Sequence, residues 1–298
     1  MAAADVDHRR RRFTLRLNDQ TPALGDAAVV AMAQTISTTA AVRGTGIPVA
    51  DSVGDRPVRN DFGLELDLDL SGNSVGSSGV AALASAVQHC WKQPTNTIEC
   101  SGEGATNGRS ALTSAPAVKL VALRLHNNSV GDEGARMLAP ALERVVATGA
   151  ANAIAAHAMS VVTDAGDGAE VVADARIVCG AKPPAAPSQH PGFGTDDAVA
   201  RDDGNALAAR GQFVLGLTAN GITEDGTVAL LGAARRGLER GVGGDAGAID
   251  GVLLARHGLD VTIELGANSI GAAGQAAATE LDVVARGAVD VARDKAQQ

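Results

Sequence analysis

The chain has 298 residues, 45% apolar, with 2% aromatic residues, no Tyr and a formal net charge of −9. An acidic balance of this size argues against a general nucleic-acid binder, and no stretch approaches the roughly 18 consecutive apolar residues of a membrane span. The length exceeds what one compact core usually holds, whereas a repeat protein grows by adding units.

The opening MAAADVDHRRRRF lacks an apolar run of the secretory kind, so no leader is expected. His8–Arg12 reads as a solvated end before the first strand, with a nuclear address as the alternative to a cytoplasmic one. Thr14–Ala28 (TLRLNDQTPALGDAA) is the weakest of five related stretches; the others are Leu68–Gly79 (LDLSGNSVGSSG), Leu123–Gly134 (LRLHNNSVGDEG), Leu215–Gly226 (LGLTANGITEDG) and Ile263–Gly274 (IELGANSIGAAG). Apolar-x-apolar is period 2 and puts Leu68 and Leu70 on one face of a short strand. The chain then leaves the strand at Asn73, where an amide with two donors and an acceptor can satisfy turn backbone from copy to copy. Asn73, Asn128, Asn220 and Asn268 are therefore read as a structural ladder, with Gln20 at that position in the first copy. Val75, Val130, Ile222 and Ile270 re-enter the core. Gly76, Gly131 and Gly271 admit a tight turn into a helix, with Thr223 replacing Gly in one copy.

Strands are expected near 13–17, 66–70, 121–125, 213–217 and 261–265, and helices near 26–37, 78–90, 132–147, 225–240 and 272–290, the last as the terminal cap. The first apolar residues fall at Leu15, Leu68, Leu123, Leu215 and Ile263, so the first two intervals are near twice a unit of about 28 residues. Ile98/Cys100 and Ile177/Cys179 have the strand spacing, which makes 96–100 and 175–179 candidates for hidden repeats, with long insertions as the competing explanation. Lys182–Asp203, with its prolines and acidic residues, reads as a mobile insertion centred on 183–204 within one solenoid spanning 1–298.

The pattern resembles the leucine-rich repeat of the ribonuclease-inhibitor type. The resemblance implies an α/β solenoid: a parallel sheet on the concave side, helices outside, and a partner protein bound by the concave face. It also implies an alternative, a GTPase activator similar to those acting on the Ran-type GTPase, although the acidic tail of those proteins is missing here.

Strand residues alternating with the buried Leu point to the concave side. They are Arg16 and Asn18; Asp67, Asp69 and Ser71; Arg124 and His126; Gly216 and Thr218; and Thr262, Glu264 and Gly266. Of these, Arg16, Asp67, Asp69, Arg124, His126 and Glu264 are the candidate partner contacts, with Arg124 the best single anchor. His126 and Asp69 are the one acid–base pairing the pattern offers, and no activated nucleophile accompanies them, so no enzyme is expected. Cys90, Cys100 and Cys179 form no CxxC and are expected as free thiols, and the six His show no ligand spacing, so neither metal nor cofactor is expected. Gly241–Gly251 lacks the lysine of a phosphate loop, and Asp164–Gly168 lacks calcium-loop spacing; both read as surface loops.

Overall fold

The structure, a computed structural model, describes residues 3–7, 12–41, 64–91, 118–164, 211–243 and 251–293. Among the described residues, seven strands form one sheet in sequence order: β1 (Ala3–Asp7), β2 (Arg12–Arg16), β3 (Leu64–Asp69), β4 (Val118–Arg124), β5 (Gly211–Gly216), β6 (Leu259–Glu264) and β7 (Val289–Ala292). Strands β2 to β7 are parallel, and each of the first five is followed by a helix. These helices are α1 (Asp26–Ala41), α2 (Ser77–Cys90), α3 (Gly131–Asp164), α4 (Glu224–Val242) and α6 (Gly271–Ala285), with a short α5 (Gly251–Arg256) before β6. The architecture is an α/β leucine-rich repeat solenoid.

Stacking follows from what one unit cannot bury alone. Leu15, Leu68, Leu123, Leu215, Ile263 and Val291 stand in one register row across six strands. All but Leu15 are at most 5% exposed. Against them pack Val80, Leu83 and Val87 of α2, Leu138, Leu142 and Val145 of α3, and Leu230, Leu231 and Leu238 of α4. Each repeat thus completes its neighbour's core.

Several expectations change. Strand β3 bonds directly to β4, and β4 to β5, so no further strand stands between them; residues 96–100 and 175–179, like 183–204, lie outside the described residues. The extra strands come from the ends instead. Strand β1 runs antiparallel along β2, pairing an edge that would otherwise present free backbone donors and acceptors. The last helix stops at Ala285 rather than running to 290. Arg286 and Gly287 take left-handed backbone there, and β7 adds a final parallel strand. Strand β4 starts at Val118, earlier than expected, and carries Val121 as an extra residue: Leu66 faces Leu120 while Asp67 faces Ala122.

Helix α3 reaches Asp164, far beyond 147, and α4 reaches Val242. The two helices touch at glycines spaced four apart. A Cβ on Gly237 would lie 2.6 Å from the Glu143 carbonyl oxygen, and one on Gly241 2.6 Å from that of Ala147. Gly241, read from sequence as the start of a loop, is a helix contact. Two aromatic residues also enter the core. Trp91, 2% exposed, donates its indole N–H to the Leu120 carbonyl and meets Phe213 edge to face. Among the described residues no helix is long and apolar enough to cross a membrane.

Candidate functional site

The four asparagines are buried, between 2% and 9% exposed. Asn128 shows the bonding. Its Oδ1 accepts from Val75 N at 3.0 Å, and its Nδ2 donates to the carbonyls of Leu70 and Leu125, each at 3.0 Å. Asn73 bonds Leu24 N, Leu17 O and Leu70 O in the same way. Asn220 accepts from Val130 N and donates to Leu125 O, and Asn268 accepts from both Asn220 N and Ile222 N. Each side chain ties one turn to the preceding turn. Gln20 does not extend the ladder; it donates to its own turn at Asn18 O.

Two further features of the turn escaped the sequence. The residue before each ladder position has left-handed backbone: Asp19, Gly72, Asn127, Ala219 and Ala267, with φ between 50° and 67°. Only Gly72 relieves that conformation by composition. A carboxylate in one repeat also caps the next helix: Asp26 accepts from Gly76 N at 2.7 Å, and Asp132 accepts from Thr223 N at 2.7 Å and Thr223 Oγ1 at 2.6 Å. The hydroxyl bond from Thr223 is the chief cause holding the Asp132 carboxyl below the usual range. Gly131 and Gly271 need positive φ, whereas Thr223 sits at φ −99° and Gly76 at −103°, which is why threonine is admitted in that copy.

The sheet face opposite the helices carries the candidate contacts. Arg16, Asp69, Arg124, Gly216 and Glu264 occupy one register row across β2 to β6. Asp67, only 6% exposed, lies between two guanidinium groups. Arg12 Nη2 is 3.2 Å from its Oδ2, and Arg124 bonds its Oδ1. Arg12 was assigned to a solvated end; its period-2 spacing with Thr14 and Arg16 is the signal that places it on this face. Asp69 Oδ1 accepts from Ser71 N and Ser71 Oγ.

His126 does not meet Asp69. Asp69 pairs in register with Arg124, one pleat period earlier, and His126 reaches across β5 to Glu264, with 3.2 Å between Nε2 and Oε2. Gly216 makes the crossing possible, because a Cβ there would lie 2.5 Å from His126 Nε2 and 3.1 Å from Glu264 Oε2. The Thr218 N–H donates to His126 Nδ1 at 3.2 Å, which leaves the proton on Nε2, facing Glu264. Both ring nitrogens are thereby engaged, so this histidine is held as a surface contact and is poorly placed to relay a proton. Arg16 is exposed, and Arg124, His126, Asp69 and Glu264 are half-buried.

At the end of α2, burial pushes the Cys90 thiol up to about 11, against a lowering contribution from the Leu120 backbone. Cys90 is a buried free thiol; Cys100 and Cys179 lie outside the described residues. Among the described residues no three His, Cys, Asp or Glu side chains converge as a metal-binding group.

Two stretches, residues 66–84 and 118–139, match the family model described as Leucine Rich repeat. Each spans a strand, the asparagine turn and the start of a helix, here β3 with α2 and β4 with α3. A search of curated proteins found no match. The chain therefore carries leucine-rich repeats, a scaffold whose general use is protein binding without catalysis.

Proposed function

We propose that this chain is a protein-interaction scaffold of the ribonuclease-inhibitor type of leucine-rich repeat, working in the cytoplasm without a cofactor and holding a partner protein on its concave face. The observation that carries the reading is the register row on the open sheet. Arg16, Asp69 and Arg124 stand side by side, with Glu264 beyond Gly216, in one row that alternates in charge and is reached by solvent. Such a row offers electrostatic complementarity, which sets partner choice and encounter rate more than raw affinity. The buried Asp67 supports the row from beneath by fixing Arg12 and Arg124, so Arg16, Arg124 and Glu264 are the contacts a partner meets first.

The test is a paired capture from native cells with full-length bait. One variant combines Arg16→Glu with Glu264→Arg on the sheet face. The other is Val283→Arg on α6, where Val283 is 62% exposed. The reading expects one protein retained by wild type and by Val283→Arg, and lost by the double variant, with all three chains melting alike. Loss by the helix variant, or retention by the double variant, overturns it.

A further inference from the structure

Away from the sheet face, two imidazoles meet between distant parts of the chain. His157 lies late in α3 and His257 in the turn after α5, and 3.0 Å separates His157 Nδ1 from His257 Nε2. The ring centroids are 4.7 Å apart and the planes are tilted by 57°. Rings whose nitrogens aimed straight at each other over that gap would have centroids about 5.3 Å apart. The shorter separation means the ring axes bend off the nitrogen–nitrogen line. Two rings bent equally to one side at that separation would meet about 2 Å from each nitrogen at an angle of about 95°, the bond length at which zinc and its neighbours hold imidazole. Both rings are half-buried, so one side of the pair is open to water.

We propose that His157 and His257 form a two-imidazole site for a late first-row divalent metal ion, copper(II) before nickel or zinc, with water completing the coordination. The preference follows the general affinity order for nitrogen ligands and the near-right-angle geometry. An ion held there fastens the segment around α5 onto α3 and stabilises the folded chain by mass action. No local pattern announces it, because the two histidines are 100 residues apart.

The experiment titrates the full-length chain at pH 7.5 with copper(II) chloride or nickel(II) chloride alone, and compares wild type, His157→Gln, His257→Gln and a distant control, His89→Gln. Calorimetry is expected to find copper binding that either pair substitution weakens by about 100-fold, because a second tethered ligand acts as a high local concentration. His89→Gln leaves it unchanged. Copper spectra are expected to show nitrogen coupling from two imidazoles in wild type and one in either pair variant. Nickel should raise the melting temperature of wild type and of His89→Gln but of neither pair variant, and magnesium should raise none of them. Equal copper affinity in wild type and His257→Gln, a single-nitrogen spectrum in wild type, or no binding below millimolar metal overturns the proposal and leaves the pair as a hydrogen bond.

Discussion

Asn268→Ala destabilises this solenoid more than Asn128→Ala, although the side chains occupy the same place in the repeat. Asn128 Oδ1 accepts one buried donor, Val75 N–H, and its loss orphans that group. The carbonyls Asn128 also serves, Leu70 and Leu125, keep bonds from Asn73 and Asn220. Asn268 Oδ1 accepts two buried donors, Asn220 N–H at 2.9 Å and Ile222 N–H at 3.1 Å, and its Nδ2 serves Leu217 O at 2.8 Å. Each orphaned buried N–H costs about 1–3 kcal/mol. The expected loss is therefore about 2 kcal/mol for Asn128→Ala and about 4 kcal/mol for Asn268→Ala. With a urea slope of about 2 kcal/mol per molar, the midpoints fall by roughly 1 M and 2 M. Circular dichroism at the helix band follows both melts. Unchanged midpoints would falsify the ladder as a structural device, and the reverse order would show that orphaned donors do not set the cost.

Ala219 holds a left-handed backbone that costs alanine about 1–2 kcal/mol, partly offset in glycine by about 0.4–1 kcal/mol of extra unfolded-state freedom; Ala219→Gly is expected to raise the urea midpoint, and a lowered one would count against strain there. Asp132→Ala removes the cap on α4 and costs about 0.5–2 kcal/mol at pH 7. Because the folded carboxyl is depressed, the gap to wild type is full above the unfolded aspartate value of about 4 and closes as the pH falls through the folded value; a gap that stays constant down to pH 2 refutes the cap. Gly237→Ala forces a methyl against the Glu143 carbonyl and should cost about 1–3 kcal/mol by overpacking, read as a lower melting temperature. Cys90, buried and with its thiol pushed up to about 11, should escape maleimide at pH 8 until the chain is unfolded, as peptide mass mapping would show.

The repeat unit was legible because its signals are local. The Leu-x-Leu alternation, the asparagine and the re-entering Val or Ile lie within a dozen residues, and each has one physical use at that spacing. Five parallel strands, the starts of their helices and the buried ladder therefore followed from the sequence to within a few residues, whereas the helix ends did not. What required the tertiary structure depends on groups that meet only after stacking. Glycine at 216 looked like a gap in a row of outward side chains; it proves to be the clearance through which His126 reaches Glu264. Asp67 looked like a free surface acid, yet Arg12 and Arg124 enclose it from the strands on either side. Asp26 and Asp132 cap helices in the following repeat, and β1 and β7 carry no asparagine turn that could announce them. Spacing along a chain records which face a residue takes within its own strand. The register between strands decides which residues lie side by side on that face, and the cross-strand backbone bonds that set it lie far apart in sequence.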